Sequence, residues 1–135
     1  MFLSTHDRDK SALVPVARRL AELGFSLIAT SGTAAALAAD GLSVQSILKV
    51  HEGRPNIEDA IRSGQIQLVI NTPVGRQAAH DDRYLRRAAL DYAVPTVTTL
   101  AAARAAVEAI AALQGQTLTI HALQDVHAPQ ARPAA

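Results

Sequence analysis

The sequence predicts an α/β fold: a three-layer sandwich in which helices cover both faces of a central, mainly parallel five-stranded sheet. Two observations predict it. Apolar runs of strand length alternate along the chain with helix-like segments, and that alternation calls for right-handed crossovers and a parallel sheet. Within the runs, "SLIA" and "LVI" are continuously apolar, as in strands buried on both faces. A length of 135 residues suits one domain with its own core.

The elements follow in order. "FLS" (2–4) reads as the first strand and 11–23 as the first helix. Pro15 falls inside that helical pattern, so the helix is expected to start later than Ser11 or to bend there. "FSLIAT" (25–30) is the second strand and 33–39 the second helix; "VQSILK" (44–49) is the third strand and 57–63 the third helix. "IQLVIN" (66–71) is the fourth strand, followed by a helix over 81–92 that opens at "DDRYLRR" with Asp81 or Asp82 near its positive end. "VPTVTTL" (94–100) is the last strand, and alanine-rich 101–113 has strong helix propensity and an apolar face. Gly24, Gly41, Gly64 and Gly115 mark helix ends. Residues 1–127 are expected to form the domain, and 128–135, with little to bury, a disordered tail.

Composition narrows the function. A net charge of +1, no basic stripe, and only two Phe and two Tyr argue against nucleic-acid binding. With no cysteine, disulfides and thiolate metal sites are excluded. No apolar run reaches transmembrane length, and Met1 is followed by "FLSTHDRDK" instead of a basic, apolar leader, so the expected location is the cytoplasm. The five histidines show no metal-ligand spacing, so no metal site is expected.

In open parallel sheets ligands bind beyond the carboxyl ends of the strands. The polar clusters of this chain fall at those ends: "STHDRDK" (4–10), "TSGT" (30–33), Lys49 with "HEGRP" (51–55), "NTPVGR" (71–76), and Thr98 and Thr99. In "TSGT" two readings compete. Ser and Thr cap helix N-termini, and a helix N-terminus with unpaired N–H groups also favours an anion, which Gly32 would let approach closely. Thr30, Ser31 and Thr33 supply hydroxyls, and Lys10 and Lys49, each after a different strand on the same rim, turn the balance towards a phosphate pocket. The two roles are compatible: a terminus that needs a cap receives a phosphate when one is present. His6 and Asp7 form either an acid–base pair or a polar loop. Asn71 can read a base or sugar through its paired donor and acceptor, or close a turn. Arg86 and Arg87 fit either an interdomain contact or a solvated face.

"GFSLIATSGTAAAL", "HEGRPNIEDAI", "LVINTPVGR" and "RYLRRAALDYAVPTVTTL" together resemble the C-terminal allosteric domain of the carbamoyl-phosphate synthetase large subunit, which has the methylglyoxal-synthase-like fold. The resemblance runs over about residues 2–127. It implies a regulatory nucleotide site, with UMP as inhibitor and IMP as activator at an overlapping site, in an enzyme of pyrimidine and arginine biosynthesis. It implies that Lys10, Thr30, Thr33 and Lys49 hold the effector phosphate, with Ser31 and Gly32 of the same "TSGT" turn beside it, and that Asn71 lies in the nucleoside part of the pocket. Thr98 matches a threonine associated with transmission of the ornithine signal, and Arg86 and Arg87 are candidates for the surface facing the synthetase core. The partners implied are the nucleotide, the rest of the large subunit, the small glutaminase subunit and, optionally, a second copy of the chain. The domain itself would need no cofactor and catalyse nothing; ATP and magnesium belong to other parts of the parent.

The chain departs from the family pattern at Pro73 and Val74, where hydroxyl-bearing residues are usual, and at Thr96, where an aromatic is frequent. The rival reading is an enzyme, methylglyoxal synthase acting on dihydroxyacetone phosphate, which shares the fold and an HD pair like His6–Asp7. Its chemistry needs a carboxylate base. Arg54 stands where the synthase has that aspartate, and "NTP" replaces its second one. The IMP cyclohydrolase half of a purine enzyme also has a lysine and a similar loop, but its downstream "KTLHP"-type motif is absent.

Overall fold

The computed structural model describes residues 1–73, 76–116 and 118–126, with the side chains of 76–81, 125 and 126 outside the description. The predicted tail therefore lies outside the described residues. Five strands, β1 (Phe2–Thr5), β2 (Leu27–Thr30), β3 (Val44–Ile47), β4 (Val69–Thr72) and β5 (Thr96–Val97), form a sheet of order β3-β2-β1-β4-β5. Every pairing is parallel. The helices are α1 (Lys10–Glu22), α2 (Ser31–Ala39), α3 (Ile57–Arg62), α4 (Arg76–Asp91), α5 (Leu100–Leu113) and a short α6 (Leu123–Val126), with a 3-10 turn at Asp7–Asp9.

Alternation along the central strands builds the layers. Leu3, Ala29 and Ile70 face a core filled by Leu13, Val16 and Leu20 of α1, Leu37 of α2, and Ala103 and Val107 of α5. Phe2, Ile28 and Val69 face the opposite core, filled by Ile57, Ala60 and Ile61 of α3 with Leu85 and Ala88 of α4. The two cores share one backbone layer, so β1 and β4 read as unbroken apolar runs.

Several boundaries differ from expectation for identifiable reasons. In the run 66–71, Ile66 and Leu68 are buried and Gln67 is exposed. The strand itself spans Val69–Thr72, with the Leu68 carbonyl accepting the Phe2 N–H at 2.9 Å just before it, because apolarity reports burial and not the limits of a strand. β2 starts at Leu27 because Gly24 and Phe25 close α1: their N–H groups bond Ala21 and Leu20 carbonyls at 3.0 and 3.1 Å, with Gly24 at φ +88°. Pro15 stays inside α1, which starts at Lys10. The carbonyl its missing N–H would have bonded belongs to exposed Ser11, where solvent can hydrate it. α4 starts at Arg76, five residues before the expected start, so Asp82 lies within the helix and not in its first turn. α6 was not foreseen.

α4 ends in the same motif as α1, with Ala93 and Val94 N–H groups bonding Leu90 and Ala89 carbonyls at 3.1 and 2.7 Å, but Ala93 occupies the left-handed position at φ +54°. Ala93→Gly is expected to raise stability by about 0.5–1 kcal/mol, the left-handed cost of a Cβ less the extra freedom glycine has when unfolded. Leu20→Ala, at a fully buried site, should cost about 2–5 kcal/mol, whereas Leu90→Ala, at a site 79% exposed, should stay within about 0.5 kcal/mol. Urea denaturation of the three variants checks this.

Candidate functional site

From β1 the chain moves outwards to β2 and β3, then returns to lay β4 against the other side of β1. The loops leaving β1 and β4 therefore diverge, and the crevice between them is the place where open parallel sheets bind ligands. A cavity of about 300 Å³ lies there. It brings together Lys10, Thr30, Ser31, Gly32, Thr33, Lys49 and Asn71, seven residues the sequence singled out, with His6, Asp7 and Pro73 beside them.

At one end of the cavity is the N-terminus of α2. Thr30 is its N-cap residue, but its side chain makes no capping hydrogen bond. The Thr30 hydroxyl instead donates to Oγ1 of Thr33 at 3.3 Å, and the same oxygen accepts the Thr5 N–H at 3.3 Å. The expected capping role of these hydroxyls is thus corrected. Thr33, only 1% exposed, ties α2 to β1, because its position one turn into the helix brings Oγ1 over the end of the neighbouring strand. The first N–H groups of α2 keep their partial positive charge uncompensated by a side-chain cap, and Ser31, Gly32 and Thr33 line the cavity. Lys10 Nζ lies 3.1 Å from the place a Cβ on Gly32 would take, so the glycine leaves room for the ammonium. The ammonium also pairs with Asp7 at 2.7 Å. That hydrogen bond, and then the positive charge behind it, lower the Asp7 carboxyl below the usual carboxylate range.

Lys49 reaches the cavity from a loop held by one side chain the sequence reading passed over. Asn56, 3% exposed, donates to the carbonyls of Gly53 at 2.8 Å and Val50 at 3.4 Å. Its oxygen accepts the N–H groups of Glu58 and Asp59, and Asp59 accepts the Asn56 N–H in return, a capping box at the start of α3. The signal was visible as an Asn followed three residues later by an Asp before an apolar pattern. Within the loop the Lys49 N–H donates to Glu52 at 2.8 Å. Arg54 points away, exposed and 3.6 Å from Asp59, and is not among the cavity's lining residues.

The other end of the cavity lies on the β4 side. Asn71 donates its amide to Asp82 Oδ1 at 2.7 Å, and the second Asp82 oxygen pairs with Arg86. Both Asn71 and Asp82 are 7% exposed. The sequence pattern places Asp82 at a helix start and not in the site; α4 begins at Arg76, which carries Asp82 into the helix and against Asn71. Phe2, Val50, Ile57 and Leu85 supply an apolar wall. Thr5 and Thr72, opposite each other across β1 and β4, carry buried hydroxyl oxygens that have no hydrogen-bond partner among the described residues.

The remaining sites named from sequence are not brought together. Arg87 is exposed on α4, 3.4 Å from Asp91, and Thr98 is exposed between β5 and α5. Val74 lies outside the described residues. His6 Nδ1 accepts the Arg8 N–H at 3.4 Å, closing the 3-10 turn. Among the described residues no group of His, Asp and Glu is arranged to hold a metal, and no helix is long and apolar enough to cross a membrane.

A five-stranded all-parallel sheet with a ligand-sized crevice at its switch point defines the class, an open α/β domain. The family model described as the MGS-like domain matches residues 12–98, and the chain belongs to that family. It is 50% identical over 131 residues to a carbamoyl phosphate synthase large chain from Acidobacterium capsulatum, covering 97% of this chain and 12% of that protein. Against the large chain from Nostoc sp. it is 49% identical over 125 residues, covering 93% of this chain and 11% of the relative. A C-terminal section of the large chain from Methanopyrus kandleri is 49% identical over 126 residues, covering 93% of this chain and 23% of that section. The chain thus spans a small part of the relatives it resembles.

Two expectations follow. Asn56→Ala should cost about 0.5–2 kcal/mol, the scale of losing a helix cap, and should speed amide hydrogen exchange across residues 49–56, since the loop loses its tie. The Asp7 carboxyl, followed by NMR, should titrate below the ordinary aspartate range and return to it in Lys10→Ala. Its folded value is depressed, so the pair's stabilisation is present above the unfolded aspartate value and disappears as pH falls through the lowered one.

Proposed function

We propose that this chain is a regulatory domain of a carbamoyl-phosphate synthase large subunit that binds a nucleoside monophosphate and passes the signal to the synthetase core. One observation carries the reading: a single cavity with a cationic end and an amide-and-apolar end. Lys10, Lys49 and the uncapped α2 terminus suit a phosphate monoester. Asn71 beside Phe2, Val50, Ile57 and Leu85 suits a nucleoside. UMP as inhibitor and IMP as activator are the effectors this reading takes, in a cytoplasmic enzyme of pyrimidine and arginine biosynthesis. The rest of the large subunit and the glutaminase subunit would be its partners, and ATP and magnesium chemistry would lie in the parent.

Within the cavity the carboxylates are engaged: Asp7 by Lys10, Asp82 by Asn71 and Arg86, and Glu52 by the Lys49 backbone. This supports a binding role over the proton abstraction that methylglyoxal synthase performs. Regulation then works by differential affinity. The effector shifts the parent only by as much as it prefers one conformational state, commonly about 1–3 kcal/mol. Arg86 links the pocket to the exposed side of α4 through Asp82 and, with Arg87 and Thr98, is a candidate for the surface that reports occupancy.

Titration calorimetry with UMP, IMP and dihydroxyacetone phosphate tests the reading. Saturable UMP binding is expected, weakened in Lys49→Ala by about 1.5–3 kcal/mol, the scale of a hydrogen bond to a charged group. UMP affinity unchanged in that variant would sink the pocket, and methylglyoxal released from the triose phosphate would make the protein an enzyme.

A further inference from the structure

We propose that Asp82 is a positioning residue that sets which face of the Asn71 amide meets the ligand, so that the site selects a nucleoside bringing a hydrogen-bond donor to that point. The ligand's identity rests on the nucleotide reading above; the orientation of Asn71 does not. Asn71 sits on β4, held in register against Ser4 of β1, so its backbone cannot turn. Across from it, α4 brings the Asp82 carboxylate to 2.7 Å from the amide nitrogen. An ionised carboxylate only accepts hydrogen bonds, so the amide must present its NH₂ to Asp82; rotated by half a turn, two acceptors would face each other. Arg86 takes the other carboxylate oxygen and holds the group from the solvent side.

The Asn71 carbonyl oxygen is then the atom left for the cavity, which Asn71 lines, and among the described residues it accepts no hydrogen bond. An N–H of a base or an O–H of a ribose satisfies it. A ligand that brings a lone pair there leaves two acceptors opposed, and one that brings a methyl group leaves the oxygen dry. Asparagine alone can turn either group to the ligand; the carboxylate behind it holds the NH₂ on its own side, so the carbonyl oxygen is the group the proposal assigns to the ligand.

Calorimetry with UMP, 3-methyl-UMP, 2′-deoxy-UMP and 3′-deoxy-UMP separates base from ribose as the source of the donor. In the wild-type chain one of the three analogues should bind at least about tenfold more weakly than UMP, the scale of a lost hydrogen bond. In Asp82→Asn, whose amide can donate or accept, that discrimination should shrink to less than about threefold. The swapped pair Asn71→Asp with Asp82→Asn again offers an acceptor to the ligand and should restore it, which a merely structural role for Asp82 would not require. A ligand-independent readout is the Asn71 side-chain NH₂ in NMR, expected to exchange slowly with solvent and to speed up in Asp82→Ala. Equal affinity for all the analogues, with UMP itself bound, overturns the selection and leaves the nucleotide site standing. Fast exchange of the wild-type amide overturns the proposal whatever binds. A slow amide with no UMP binding supports the Asp82 pin and overturns the nucleotide reading.

Discussion

The parallel pairing of β1 with β4 is the contact on which the rest of the molecule depends. It aligns Phe2 with Val69 and Leu3 with Ile70, so each strand feeds both cores at the same level of the sheet. It also closes the chain's return from the β3 edge to the centre, and by doing so makes β1 and β4 neighbours whose following segments leave in different directions. The crevice is a geometric result of that pairing. A shift of β4 by one residue would turn Asn71 to the α1–α5 side and bring Thr72 to the α3–α4 side, because side chains alternate along a strand. The apolar residues beneath resist such a slip, since Val69 and Ile70 would each have to exchange cores.

The pocket is stiff in an uneven way. Its α2 end is welded to the sheet through Thr33, whose hydroxyl joins the Thr5 backbone and the Thr30 side chain. Its Lys49 loop is tied through Asn56, which spends both its donors and its acceptor on neighbouring backbone. The Thr33 hydroxyl and the Asn56 amide, which could have gone to a ligand, are committed to shape instead. The Ser31 hydroxyl, the first N–H groups of α2 and the two ammonium groups line the same cavity, and a helix N-terminus is where an anion's charge would be useful.

Charge in the pocket is arranged and not merely present. With a net charge of +1 the whole chain offers no general attraction for anions. Lys10 pairs with Asp7, so a phosphate of the kind proposed would compete with an exposed carboxylate for the same ammonium. On the β4 side Asp82 would repel a phosphate, and its pairing with Arg86 and Asn71 offsets that charge locally. The polarity of the cavity would thus give a phosphate monoester, the ligand proposed above, one sensible direction.

The sequence by itself determined the order and type of the main elements, since continuous apolar runs and helix-ending glycines are local and survive any arrangement of the layers. It also determined which residues stand on the rim, because in a parallel sheet every strand end points the same way, so Lys10, the "TSGT" residues, Lys49 and Asn71 could be gathered before their neighbours were known. Boundaries were less legible at Val69 and Arg76, where apolarity and charge pattern do not mark the limits of an element. Tertiary structure alone decided what each rim residue bonds. Thr33 meets Thr5 across 28 residues and Asn71 meets Asp82 across 11. Both depend on strand order and on the rotation of a helix about its axis, and neither quantity is carried by the periodicity of a single segment.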